Sequence, residues 1–259
     1  MTVKTSSSFI GDGIFATSYS VKMTDLVDVL TYSRYLNEYA DISIVSEPNT
    51  QYGDSLFNSQ DNEFTALFIN KSIHLDSPIA SYYPSNKTGY AIAGEASDLR
   101  YLNFYLNTFV GKYELSSRKP KSDQTGTTTL TSIKNLEIIR NKKIEPYCVY
   151  LQNIITKLPV FLDKDGADEQ IKLAVTNCFT IIGDSIMMEL HMPKVFAEYD
   201  LSLIQEWMKL VDSVSTNKDI HFQIRLLIKA LFSISSPIMD SINRMKAFSK
   251  VIIDTFKND

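Results

Sequence analysis

The spacing of hydrophobic positions changes period about halfway along the chain. Ile14 to Val21 alternates, with Phe15, Thr17, Tyr19 and Val21 on one side, the two-residue repeat of a half-buried strand. Thr24 can cap a helix whose apolar positions Leu26, Val27, Leu30 and Leu36 lie roughly along one face, although Tyr32 and Tyr35 blur the stripe. Short β-like runs follow at Asp41–Val45, Phe64–Ile69 and Tyr90–Ala93. After Gly94 the spacing predicts a helix over Ser97–Val110, with Leu99, Leu102, Leu106 and Phe109 in register. Asp98 falls in its first turn, where a carboxylate complements the helix dipole. A strand, a helix, several strands and a helix make a small α+β layer with its helices on one sheet face.

Polar stretches punctuate this pattern. Ser46 to Asn62 contains Pro48 and Gly53 and few apolar anchors, and reads as a surface loop. From Ser116 to Thr129 hydrophobic residues vanish, and Pro120 and Gly126 break any period, which predicts a linker or long loop.

Beyond that seam nearly everything reads as helix. Pro146 suits a first helical position, and Leu151, Ile154, Ile155 and Leu158 make a stripe expected to stop before Pro159. A turn at Asp163-Lys164-Asp165-Gly166 leads into Asp168–Leu190, where Ile171, Val175, Cys178, Phe179, Ile182 and Ile186 recur at three- and four-residue steps. Asp200 is placed to cap the next helix, with Leu203, Ile204, Trp207, Met208, Leu210 and Val211 inward. Two further helices are expected, Lys218–Ile234 and a terminal one from Pro237 after the cap Ser236. Short connections predict antiparallel neighbours in a bundle. The expected fold class is therefore α+β, a small mixed sheet domain over 1–115, a linker over 116–129 and a helical bundle over 130–259.

Composition narrows the functional classes. Of 259 residues, 44% are hydrophobic and 22% charged, the profile of a globular chain rather than a disordered or fibrous one. Cys148 and Cys178 are too few for a disulfide framework and lack C-x-x-C spacing, which favours a reducing compartment. Met1-Thr2-Val3-Lys4-Thr5-Ser6 lacks the apolar core of a secretory signal, and no uninterrupted apolar run approaches the ~18 residues of a bilayer span. The expectation is an intracellular, cytoplasmic protein without a transmembrane segment, the nucleus remaining open. The sequons Asn70-Lys71-Ser72 and Asn86-Lys87-Thr88 then read as chance matches.

The formal net charge is −4, and neither half is basic: residues 1–129 carry 10 basic and 14 acidic side chains, and residues 130–259 carry 16 of each. Six of the basic residues are arginine, the side chain best suited to phosphate and base edges. Nucleic-acid binding is disfavoured on this balance, because it rests on a basic patch that releases counterions.

No motif for catalysis emerges. His74, His191 and His221 never form H-x-x-x-H or H-E-x-x-H; His74 with Asp76, and Glu189 with His191, are the nearest pairings, and a metal site is not expected from them. Asp163-Lys164-Asp165-Gly166-Ala167-Asp168-Glu169 resembles a calcium loop but places glycine fourth rather than sixth, and Ala174 stands where the twelfth-position glutamate belongs. A helix-to-helix turn accounts for the same residues. Gly11-Asp12-Gly13 reads as a hairpin turn between Phe9-Ile10 and Ile14-Phe15. Gly183-Asp184-Ser185 lacks the flanking glycine of a nucleophile elbow and lies inside a predicted helix. Cys178 falls mid-helix on the apolar side, while Cys148 lies near a helix N-terminus that lowers a thiol pKa slightly.

The terminal helix has a stripe of Ile238, Ile242, Met245, Phe248, Ile252 and Phe256 with Arg244, Lys246, Lys250 and Lys257 around the rest. Such a helix either closes the bundle or docks on a partner groove or a membrane surface. The sequence reads as a non-enzymatic protein–protein interaction module, an adaptor or subunit of a larger assembly, with no catalytic, cofactor or metal residues assigned. Its 14 Tyr and 14 Phe suit recognition. The alternatives are an enzyme whose site is dispersed in sequence, with carboxylates around His74 or His191, and a nucleic-acid-packaging protein that gathers Lys119, Lys121, Lys142 and Lys143 by folding.

Overall fold

A computed structural model of the protein describes residues 18–33, 67–70, 78–82, 88–117, 129–191 and 201–233. They form an α+β fold in two units, the first holding Ser18–Asn141 and the second continuing from Lys142. The loop 46–62, the turn Gly11–Gly13, the run at 41–45 and the helix from Pro237 lie outside the described residues.

In the first unit, strand β1 (Tyr19–Lys22) covers the end of the alternating run read from the sequence. The helix expected from Thr24 is a single turn, α1 (Met23–Leu26), which gives way to strand β2 (Asp28–Ser33). Burial alternates at its start, where Val27 and Val29 are buried and Asp28 between them is exposed; Thr31, further along, is exposed. The β-branched Val27, Val29 and Thr31 fit a pleated surface, and β2 pairs antiparallel with β5 (Thr88–Ala93) over its whole length. That lateral pairing outweighs the approximate helical spacing of the leucines.

Strands β3 (Leu67–Asn70) and β4 (Ala80–Ser81) complete an antiparallel sheet of order β2-β5-β3-β4. The inner strands β5 and β3 bury consecutive residues, Gly89–Ile92 and Leu67–Ile69, because both of their faces are covered. The runs read at Phe64–Ile69 and Tyr90–Ala93 thus each overlap a strand.

Helix α2 (Ala96–Asn107) supplies the polar partners these short strands need. The Asn107 Oδ1 accepts from the backbone N–H of Ile79 at 2.9 Å and of Ala80 at 3.1 Å, while its Nδ2 donates to the Ala80 carbonyl at 2.8 Å. One carboxamide therefore stands in for a further strand along β4. On another side of the same helix, the Tyr101 and Tyr105 hydroxyls donate to the carbonyls of Ile139 and Glu137. Those carbonyls belong to β6 (Glu137–Arg140), which pairs antiparallel with β1.

The single helix read over Ser97–Val110 is broken at Thr108, where the backbone is extended, and resumes as α3 (Phe109–Ser117). Thr108 serves both ends: its hydroxyl donates to the Tyr105 carbonyl at 2.6 Å and accepts weakly from the Gly111 N–H at 3.4 Å. This is side-chain competition with helical backbone bonds. Gly111 permits the tight bend, because a Cβ there would fall on the Tyr105 carbonyl oxygen and 2.8 Å from the Leu106 Cα.

The polar seam at 116–129 does not part the two units. Helix α3 runs into its first residues, and beyond it helix α4 (Leu130–Lys134) and β6 fold with the first unit. Residues 130–141, read from the sequence as the start of the helical bundle, therefore belong with the sheets.

The second unit is helical among the described residues. Helix α5 (Glu145–Lys164) opens with Pro146 in its first turn and buries Cys148, Leu151, Ile154, Leu158, Phe161 and Leu162. It passes through Pro159, which was expected to end it. Proline there removes one backbone bond, at a cost of about 3 kcal/mol in a helix interior. Pro159 faces solvent, however, and Phe161 and Leu162 carry the buried stripe past it. The helix ends where Gly166 adopts φ +69° and the Ala167 N–H reaches the Leu162 carbonyl at 3.0 Å, a Schellman closure.

Asp168 then caps helix α6 (Glu169–His191), its Oδ1 accepting from the Ile171 N–H at 2.8 Å. Helices α7 (Leu201–Ser215) and α8 (Ile220–Ser233) follow, the latter capped by Asp219, which accepts from the N–H groups of His221 and Phe222. Trp207 on α7 is buried, with Phe179 edge-on at 6.2 Å and Tyr150 tilted at 6.4 Å between ring centroids. Met208 and Leu210, read as inward, are half-buried.

Gly111→Ala should lower stability by about 2–3 kcal/mol, reversing the usual helical preference for alanine, because the obstructing atoms are backbone. Urea unfolding followed by circular dichroism reads this, and an unchanged or raised midpoint would refute the close approach. Tyr101→Phe and Tyr105→Phe should each cost about 1 kcal/mol by stranding a strand carbonyl. Substituting a residue whose hydroxyl is not tied to the sheet, such as Tyr147→Phe, provides the comparison in the same measurement.

Candidate functional site

Charged and exposed apolar side chains concentrate in the second unit around the connection from α5 to α6. Lys172 sits between two carboxylates, its Nζ 2.5 Å from Asp163 and 2.9 Å from Glu169, and these hydrogen bonds hold its ammonium pKa well above the ordinary lysine value. Arg225 of α8 reaches back to Asp165, its Nη2 donating to Oδ1 at 2.8 Å. That bond, with smaller help from the arginine and His221 charges, holds the Asp165 carboxyl below its usual range. The Arg225 guanidinium also lies 5.8 Å from the centroid of the Phe161 ring, and His221 stacks on that ring at 5.6 Å.

The acidic turn thus works as the sequence suggested for a helix connection. Asp168 caps a helix, Asp163 and Glu169 hold Lys172, and Asp165 ties α8 to the end of α5. Among the described residues no group of three His, Cys, Asp or Glu side chains is placed to hold a metal ion.

Large apolar side chains stay in water beside these ion pairs. Leu173 is 63% exposed, Ile171 and Val160 are each 49% exposed, and Phe222 of α8 is 45% exposed. Val160, Ile171 and Leu173 all lie within about two helical turns of the Asp165–Asp168 connection. Ile171 was read as the first inward position of its helix. It lies one turn ahead of Val175, the first buried residue of α6, and so projects beyond the packed part of the stripe. Val160 and Leu173 fall off the stripes of their helices, a signal present in the sequence but passed over by a search for core faces.

The remaining residues singled out from the sequence do not converge. Cys148 is fully buried, and desolvation, with the nearby Glu145 charge, pushes its thiol pKa up, opposite to the lowering expected from the helix N-terminus. Cys178 is half-buried rather than in the core, and neither cysteine is in a disulfide. Gly183 is buried within α6, and the Ser185 hydroxyl donates to the Ile181 carbonyl at 2.7 Å, a local helical bond. Lys142 and Lys143 are exposed in the turn before α5. His74, Asp76, Lys119 and Lys121 lie outside the described residues.

The first unit holds a largely buried ion pair of its own. Asp98 accepts from Arg140, whose guanidinium lies 5.5 Å from the centroid of the Tyr101 ring. It joins α2 to β6 and leaves Asp98 more than the dipole partner read from the sequence. Buried side-chain polar atoms without a hydrogen-bond partner reduce, among the described residues, to the Trp207 indole N–H.

Helix α6 is the one described helix long and apolar enough to cross a membrane by length and composition. A core helix meets the same measure, and the half of α6 from Ile182 to Leu190 is almost wholly buried in its unit. No known protein family, curated protein or solved structure matches the chain.

His191, at the end of α6, is largely desolvated, which pushes its pKa down to about 4. The unfolded chain binds that proton near pH 6.5. Stability from this residue is therefore complete above about pH 6.5, falls as pH drops through 6.5 towards 4, and levels off below 4; the full difference is on the order of 3 kcal/mol. Between pH 6.5 and 5, ahead of most carboxylates, His191→Gln should lose stability less steeply than the natural chain in urea titrations. Parallel curves for the two proteins would exclude this assignment.

Proposed function

We propose that the protein acts through protein–protein contacts, as an adaptor or subunit of a larger assembly, with the exposed end of the α5–α6 hairpin as its contact surface. The observation that carries this reading is the exposure of Val160, Ile171 and Leu173 beside a connection whose backbone is fixed by caps and ion pairs. Apolar side chains held in water on a pre-organised scaffold lose little freedom when a partner covers them. Ile171 and Leu173, two residues apart on α6, face different sides of the hairpin end, so a partner that covers both wraps it, with the charges of Asp163, Lys172 and Glu169 steering its approach.

A non-enzymatic role is supported by how the ionisable groups singled out from the sequence are employed. Asp98, Asp163 and Asp165 each tie two elements together, Asp168 caps a helix, Glu169 pairs with Lys172 within α6, and the Cys148 thiol is buried. Two cysteines outside any disulfide fit a reducing, cytoplasmic setting.

The test is to isolate the full chain from its native source with its stoichiometric companions, identify these by mass spectrometry, and repeat with Leu173→Asp and Ile171→Asp. Both substitutions fall on exposed helical positions, where stability changes by about 0.5 kcal/mol or less. A companion whose affinity drops at least about tenfold with either substitution, corresponding to about 1.4 kcal/mol, supports the surface. Isolation as a lone monomer, or salt-dependent retention on heparin or RNA with no protein companion, would overturn the reading.

A further inference from the structure

We draw no further inference here: the strongest candidate, the exposed apolar patch at the end of the α5–α6 hairpin with Val160, Ile171 and Leu173, belongs to the surface already described, and nothing in the structure shows what covers it.

Discussion

Short strands leave backbone groups that sheet pairing alone does not satisfy, and meeting that demand organises the first unit. Strand β4 has two residues and β6 has four, so each needs hydrogen-bond partners beyond its neighbours. Helix α2 provides them in two directions. Asn107 completes the polar row along β4, and the tyrosine hydroxyls one turn apart, Tyr101 and Tyr105, meet two alternate carbonyls of β6. The match is one of periods: four residues along a helix advance about 6 Å, close to the two-residue repeat of a strand at about 6.6 Å. A helix of this kind is a polar strut for two sheets as well as an apolar cover for one.

The same demand explains which elements were legible in the sequence. Helices with a full apolar stripe were readable to within two residues at their starts: those read from Asp168 and from Lys218 begin at Glu169 and Ile220. The errors lie where a distant partner decides. Nothing local announces that Thr88–Ala93 will pair with Asp28–Ser33, so the leucines and valines at 26–30 invite a helical reading. Likewise Thr108 breaks a helix because α3 must turn against Tyr105, and Pro159 fails to break one because Phe161 and Leu162 are anchored beyond it. Strand β6 was hidden for a further reason: its partner β1 lies more than a hundred residues away, on the far side of a polar stretch that resembles a domain linker.

The candidate surface was less legible than the fold. A search for catalytic or metal-binding motifs weighs ionisable residues by type and spacing, and the acidic turn at 163–169 drew notice on that ground. Its chemistry is architectural: caps and ion pairs fix the end of α5 and the start of α6, and Asp165 ties Arg225 of α8 to them. The apolar residues around it carry no motif, since a leucine reads alike in a core and in water until its helix has neighbours. Leu173 stands out only once Val175, Phe179 and Ile182 are known to define the buried face.

The lone tryptophan has a consequence of another kind. Trp207 sits wholly within the second unit, under two aromatic rings and with its indole N–H facing no acceptor among the described residues. Since the chain has one tryptophan, excitation at the red edge of the aromatic absorption band illuminates the helices and leaves the sheets dark. The emission colour is then a native optical label for one half of the molecule, requiring no dye and no added residue.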